Sequence, residues 1–544
     1  MKDLKNMMKF VWDFVQPHRG LIFLFMLVML SSSMIGMVNT FLLGSAIDSM
    51  LSIATIEAIF FFAAAFLALN LVSFVIGYFA KVGGQRAMEY AVKDCKMQMM
   101  QHVEKTSMKY VGNVSAGTLM ERMNYDTQYL IMFALNTGAG IPENLIVFAL
   151  ALAFIFHIDT ICGIAALLEL PIIFGLYTVF RRKLLHRSRV LEGARELEYN
   201  RLYETLMDIG HVKKNQIMGL LSERYEESAD GFIRVVSKKV KTTYFYNIIN
   251  NNMDVFLRVF LFFYGGISVI RGTMTVGEFT IVYSYFSLVT SSCTYFLNLG
   301  KEIQSTKANY ERLKEITNVP EETNGAEVLE HIEEIRLSNI RFAYKEGENV
   351  LDGFSQTFRK GRLYAIAGEN GSGKSTMLSL LLGMYIDDHA GKVTYNGRSI
   401  KELDMRVLRR DKIGVCEQEP FLINDTIRYN MIYSNDAAQD EHLMELAHQV
   451  SFDKFLKDSE KGLSILVGEG GSALSGGQKQ KTALVKVFYK NPDVIVLDEP
   501  TSAMDAEGQE RLIAYLEEIK KEKIIIVITH GQRMTEAADE VVRM

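Results

Sequence analysis

Cysteine is scarce in this chain: four residues in 544, Cys95, Cys162, Cys293 and Cys416, far apart and without C-x-x-C spacing. That excludes a disulfide framework and a thiolate metal site, and leaves the four as small apolar residues suited to burial. A strong charge of either sign is missing as well. The formal net charge is −5, which argues against a nucleic-acid surface as the chain's main business. A signal peptide is not expected, because the first apolar run is too long and lacks a small-residue cleavage site. The seven prolines avoid two long charged stretches, 81–136 and 181–247. With only scattered glycine besides, these stretches are expected to be helices rather than loops.

What is there is unevenly placed. The length allows two to four domains, and apolar and aromatic residues crowd into the first 300 positions. Residues 1–19 carry Met8, Val11, Trp12 and Val15 at helical spacing, either an amphipathic helix at a membrane surface or a plain cytosolic lead-in. Six apolar segments follow, at 21–47, 56–79, 141–156, 161–180, 256–270 and 279–299. A membrane helix needs about 20 mostly apolar residues, so six spans are expected, the third and fifth reaching that length only with their flanking turns.

The connections alternate in length. Spans are joined tightly at 48–55, 157–160 and 271–277, and by the long stretches 81–136 and 181–247. Arg86, Lys93, Lys96, Arg122, Arg182, Lys183, Lys213, Lys214, Lys238 and Lys239 lie in the long ones; the tight ones hold essentially Arg271 alone. Positive-inside bias places the long stretches, both termini and the C-terminal half in the cytoplasm, as in a multi-pass protein of a bacterial plasma membrane. The apolar helices are expected to run on into the cytosol before turning back.

Polar residues interrupt the spans. Glu169 falls near the middle of the fourth, two residues before Pro171. An intramembrane carboxylate is costly enough to suggest a site, here a substrate contact or a carboxylate solvated in a water-filled cavity. Glu143 and the Asp254/Arg258 pair at i,i+4 lie nearer the cytoplasmic side. Span six is rich in hydroxyls, among them Tyr283 and Tyr295, which suits a pathway wall or helix–helix hydrogen bonding.

The C-terminal half reads as a soluble α/β domain. A charged stretch, 311–334, contains Pro320 and Gly325 and separates a membrane domain, 1–310, from this domain, 335–544. Residues 335–342 alternate as a strand should, with Tyr344 at its end. After the apolar run 363–367 comes Gly368-Glu369-Asn370-Gly371-Ser372-Gly373-Lys374-Ser375-Thr376, a phosphate-binding loop between a strand and a helix. Its glycines let the backbone approach a polyphosphate so that amides at the helix start face it. Lys374 supplies a mobile positive charge and Ser375 a hard oxygen for Mg²⁺. Downstream, the strand at 494–497 delivers Asp498 and Glu499. Asp498 would hold Mg²⁺ directly or through water, and Glu499 would orient or deprotonate an attacking water. Ser475-Gly476-Gly477-Gln478 opens a second helix whose N-terminus seeks an anion. Two phosphate-seeking helix starts in one chain suggest that two copies sandwich the nucleotide.

Tyr344, the phosphate loop, Gln418, Leu474-Ser475-Gly476-Gly477-Gln478, the strand ending in Asp498-Glu499, Asp505 and His530 stand in the order and spacing of ATP-binding cassette proteins. With six spans ahead of them, the chain resembles a half-size exporter of that superfamily over nearly its whole length. The resemblance implies an all-α six-helix transmembrane domain with long cytoplasmic extensions, followed by an α/β P-loop ATPase domain, with ATP and Mg²⁺ as cofactors. It implies that Tyr344 stacks on adenine and that Gln418 contacts Mg²⁺ and the attacking water. It further implies that Ser475, Gly476 and Gly477 reach the γ-phosphate bound by the opposite subunit, that Asp505 couples the two sites, and that His530 contacts the γ-phosphate. Regions 106–115 and 207–216 match its coupling helices.

There are departures. Lys481 and Lys486 stand where the family usually carries arginine. The chain stops soon after His530, so the final strand and helices are expected to be missing or shortened, and no leader-trimming peptidase domain is expected ahead of the first span. The implied function is ATP-driven export of a peptide, drug-like or amphiphilic substrate by a homodimer, or by a dimer with a homologous half-transporter. A lipid flippase and a nucleotide-gated channel are the rivals on the same scaffold; a soluble cassette ATPase working on nucleic acid is excluded by the spans.

Overall fold

The computed structural model describes residues 2–544 apart from 53–55, 115, 208, 346, 370 and 503. The chain divides into two compact units: Met1–Met100 with Gly117–Ile316, and Gln101–Ala116 with Thr317–Met544.

The first unit is helical. Its elements are α1 (Lys2–Val15), α2 (Arg19–Ser52), α3 (Ile56–Lys105), and, beyond the short α4 (Met108–Asn113), α5 (Ala116–Glu121), α6 (Thr127–Ile158), α7 (Thr160–Met207), α8 (Ile209–Asn215), α9 (Met218–Ile270) and α10 (Val276–Thr317). The long proline-free stretches are helix, as their composition predicts. With 50 residues in α3 and 53 in α9, these helices reach about 75 to 80 Å at 1.5 Å per residue, well beyond a hydrocarbon layer of roughly 30 Å. Pro142 and Pro171 are accommodated inside α6 and α7.

Phe60, Phe61, Phe74 and Phe79 of α3 and Phe256, Phe262 and Phe263 of α9 are exposed. An apolar surface on that scale needs lipid around it. Among the described residues, five helical runs are long and apolar enough to cross a membrane: Asp3–Ser52, Ile56–Lys105, Ala116–Ile158, Thr160–Phe180 and Met218–Ile270. The expected count of six is not reached, because serine, threonine and tyrosine crowd Val276–Thr317 and dilute its apolar character. Another difference concerns α1. Its buried face is Met7, Val11, Phe14 and Val15, packed with Ala87, Ala91, Leu130, Ala134 and Leu313, while Trp12 is 54% exposed. The i, i+4, i+7 stripe that begins at Met7 wins over the one through Trp12 because a neighbouring helical surface receives it.

The second unit contains two sheets. Strands β1 (Glu334–Ala343), β2 (Asn349–Arg359), β4 (Ala390–Tyr395) and β5 (Arg398–Ser399) form an antiparallel sheet in the order β2-β1-β4-β5. Strands β3 (Arg362–Ala367), β6 (Ile413–Cys416), β7 (Val494–Asp498), β8 (Ile524–Ile528) and β9 (Glu540–Arg543) form a parallel sheet in the order β6-β7-β8-β3-β9. Strands β7 and β8 are almost wholly apolar and buried, as strands covered on both faces must be. The last strand of this chain, β9, is four residues long and pairs with β3. Around the sheets lie α11 (Lys374–Leu381), α12 (Met405–Asp411), α13 (Ile427–Ile432), α14 (Asp440–Gln449), α15 (Asp453–Asp458), α16 (Gly476–Lys490), α17 (Ala506–Ile519) and α18 (Gln532–Ala537). Because β7, β8 and β3 are neighbours in one parallel sheet, whatever follows their carboxyl ends converges at one edge.

Candidate nucleotide site

Three turns meet at that edge. The one after β3 is the glycine-rich loop. Gly371 and Gly373 have φ of +84° and +96°, a conformation only glycine takes without strain. At Gly373 a Cβ would also lie 2.9 Å from the Leu351 side chain and 3.2 Å from the Val350 carbonyl. Lys374 opens α11, is buried, and donates from Nζ to the carbonyls of Gly368 and Glu369, at 2.8 Å each. Asn370 lies outside the described residues.

The turn after β7 carries the carboxylates. Burial first, and then the Glu499 charge, push the Asp498 carboxyl above its ordinary range, while the Lys374 ammonium pulls it back. Glu499 has φ of +46°, unusual for a residue with a Cβ. Its amide donates to the Ile528 carbonyl at 2.9 Å and its own carbonyl accepts from Gln480 Nε2 at 2.7 Å. Its carboxylate accepts from Gln418 Nε2 at 3.1 Å and faces His530 Nε2, after β8, at 3.5 Å. Tyr344, Gly371, Gly373, Lys374, Ser375, Thr376, Gln418, Asp498, Glu499 and His530 thus line one cavity of ≈ 360 Å³. Tyr344 is 47% exposed and places its hydroxyl 3.1 Å from Thr376 Oγ1.

The cavity fits a nucleoside triphosphate with Mg²⁺. It offers backbone amides at a helix start, one ammonium, the Ser375 hydroxyl, the Asp498 carboxylate and the Gln418 amide. That donor set suits a cation that prefers oxygen, takes one or two carboxylates and completes its shell with phosphates and water. A cation held wholly by the protein is not expected here.

Sequence reasoning missed Gln480. It is 1% exposed on the buried stripe of α16 beside Ala483, Leu484 and Val487, and a polar residue at helical spacing within an apolar stripe was the available signal. Ser475, Gly476, Gly477 and Gln478 do not line the cavity. They open α16, where the Ser475 amide donates to Gln478 Oε1 at 2.8 Å and the Gln478 amide to Ser475 Oγ at 3.4 Å. This capping box leaves Ser475 and Gly476 exposed. Lys481 and Lys486 each find a partner, the Ser451 carbonyl at 2.9 Å and the Tyr433 ring at 5.0 Å.

The loop after α3 belongs to the same unit. Ser107 caps α4 and donates from Oγ to Asp388 at 2.9 Å, with Lys109 Nζ at 3.6 Å from the same carboxylate. The Glu322 amide donates to the Lys105 carbonyl at 2.9 Å. The other region expected to form a coupling helix contains α8 in the first unit.

The intramembrane candidates each make their own contacts. Glu169 of α7 is 1% exposed and bonded to Thr290 of α10. Tyr283 is partly exposed beneath the Arg258 guanidinium, 5.6 Å from its ring centroid. The Tyr295 hydroxyl is buried with no partner among the described residues.

Comparison with known proteins agrees with this geometry. Residues 351–502 match the family model described as ABC transporter, and residues 21–293 the model of the ABC transporter transmembrane region. An ATP-dependent lipid A-core flippase of Syntrophus aciditrophicus is 25% identical over 97% of this chain and 88% of its own length. A Bacillus subtilis protein named provisionally for multidrug export is 25% identical over 99% of this chain and 94% of its own. The fold is that of a bacterial Atm1-family ABC exporter solved with ATP bound, at a TM-score of 0.81, 19% identity, 97% coverage of this chain and 93% of that one.

Proposed function

From the premise that this chain belongs to the ABC transporter family, we propose that it is one half of an exporter that spends ATP to move a lipid or drug-like amphiphile out of the cytoplasmic leaflet. It is a multi-pass membrane protein with a cytoplasmic nucleotide-binding domain, and it hydrolyses ATP with Mg²⁺. The observation that carries the residue assignment is Glu499, held left-handed between Gln418 and His530 in a cavity it shares with Lys374 and Asp498.

Bound ATP and Mg²⁺ supply the transferable phosphoryl group and a cation that offsets its charge. Lys374 shifts its ammonium from the Gly368 and Glu369 carbonyls to the outer phosphates. Ser375, Asp498 and Gln418 would hold the cation. Glu499 takes the proton of the attacking water, and His530 steadies that carboxylate and the γ-phosphate. Tyr344 stacks on the base. Glu369, Asn370, Gly371, Ser372 and Thr376 complete the loop. Ser475 and Gly476, exposed, and Gly477 and Gln478, partly buried, stand away from this cavity and serve the cavity of a second copy, which makes the working molecule a homodimer.

In the same reading Val276–Thr317 crosses the membrane as a sixth span, made tolerable by hydroxyls that bond back into their own helix, and both termini are cytoplasmic. The domains run 1–310 and 335–544, with 311–334 between them. The relatives' names favour a lipid or a drug-like amphiphile over a peptide. Reconstituted vesicles test this. Substrate that accumulates against a gradient only with ATP and Mg²⁺, and not in Glu499→Gln vesicles, supports export; ATP-gated dissipation of a preset gradient would instead mean a channel.

A further inference from the structure

Three membrane helices bring an unbalanced set of charges to one level of the first unit. Glu169 comes from α7, Asp254 and Arg258 from α9, and Tyr283, Ser287 and Thr290 from α10. Glu169, Arg258 and Thr290 lie about 14 to 21 Å along their helices from the ends at the tight connections, at 1.5 Å per residue. That is close to the middle of a layer about 30 Å thick.

Arg258 is well engaged, with two of its N–H groups bonded. Nε donates to Asp254 Oδ2 at 2.8 Å and Nη1 to Ser287 Oγ at 2.7 Å. The guanidinium lies 5.6 Å from the Tyr283 ring centroid and 5.9 Å from that of Phe286. The carboxylates are not. Asp254 Oδ1 is buried and has no partner among the described residues. Glu169, 1% exposed, has Thr290 Oγ1 at 2.8 Å from both of its oxygens. That hydroxyl has one proton, and the Phe286 carbonyl, at 3.1 Å, competes for it. A carboxylate with about four acceptor sites therefore receives at most one hydrogen bond. The charges of Asp254 and Arg258 are the formal charges that act on it.

We propose that this cluster recognises the cationic group of the exported molecule and that the substrate class is lipophilic monocations. The inference rests on the export reading above and narrows its substrate. With Glu169 ionised, two carboxylates against one guanidinium leave one negative charge over, and burial makes that charge expensive unless a cation meets it. Tyr283, 37% exposed, is suited to the task, since its ring already lies by a cation, the side chain of Arg258. A monocation seated between Glu169 and Tyr283 completes neutrality and meets the bare Asp254 oxygen. An anion is repelled, and a neutral amphiphile leaves the imbalance as it was.

The test uses the full chain in lipid nanodiscs and three probes of similar size: the monocation tetraphenylphosphonium, the anion tetraphenylborate and neutral triphenylphosphine oxide. We expect the phosphonium to bind saturably and neither other probe to displace it. Glu169→Gln should weaken phosphonium binding by about tenfold or more, while Glu169→Asp, which keeps the charge, should restore most of it. Arg258→Gln leaves two uncompensated carboxylates, so preference should move to a bis-quaternary dication. Equal competition by all three probes, or unchanged binding in a monodisperse Glu169→Gln protein, overturns the proposal and shows that the carboxyl carries its own proton. If ATP still moves triphenylphosphine oxide or a labelled lipid across vesicles in that case, export stands and only the charge assignment falls. If ATP moves none of the probes and no lipid, both fall.

Discussion

Glu499 carries the heaviest assignment of any single residue, and its backbone explains why it is well placed. A φ of +46° costs a residue with a Cβ of order 1 kcal/mol or more, and two hydrogen bonds, to the Ile528 carbonyl and from Gln480, hold it there. Replacing Glu499 by Gln should leave ATP binding intact and lower steady-state phosphate release by about a hundredfold or more, the usual worth of a positioned general base. Undiminished release would remove the assignment. Gln480 should matter without touching nucleotide. Gln480→Ala removes the donor to a part-buried carbonyl, a loss of about 1 to 3 kcal/mol, and should lower kcat roughly tenfold with little change in the KM for ATP. If KM rises while kcat holds, Gln480 shapes the binding loop instead. The two residues also mark what a sequence discloses. Gly368 to Thr376 is legible because its chemistry is local, a strand, a turn and a helix read in one window. The partnership of Gln480 with Glu499 is set by the packing of α16 on the sheet, which no local pattern records.

At the scale of elements the same division holds. The long helices α3, α6, α7 and α9 could be foreseen from apolar runs and proline-free stretches, and strands β1, β3 and β7 from alternation or apolar runs. Alternation of tight and long connections located the helix pairs α2/α3, α6/α7 and α9/α10. The face that α1 buries could not be foreseen, because Met7 and Met8 begin two stripes of similar apolarity and only the neighbours decide between them. Nor could the seat of α4, where Ser107 and Lys109 meet Asp388 across 281 and 279 positions of sequence. That seat holds α4 within the second unit through a charge-assisted hydrogen bond and an ion pair, with Asp388 only 21% exposed. Asp388→Ala should therefore spare basal ATP hydrolysis and cut its stimulation by transported substrate about twofold to tenfold, in line with the loss of about 1 kcal/mol from one such contact. A fall in basal and stimulated rates by the same factor would show that Asp388 supports the fold rather than the link.

For the whole molecule, what decides is that among the described residues the capped start of α16 stands apart from the cavity that Lys374 lines. Whether these halves complete each other between two copies is settled by mixing defects. Lys374→Ala disables the cavity and Ser475→Arg disables the helix start. Consider differently tagged chains purified as mixed dimers. With the defects on opposite chains, one composite site keeps an intact loop from one copy and an intact helix start from the other. With both defects on one chain and none on its partner, both composite sites are spoiled. We expect about half of the wild-type ATPase rate in the first arrangement if the sites turn over independently, and a rate near zero in the second. If each chain instead worked alone, the pattern would reverse: the first dimer would be dead and the second would keep half. The same experiment separates a homodimer from a pair with a different half-transporter, because a chain that needs a distinct partner yields no activity in either arrangement or as the purified wild-type pair.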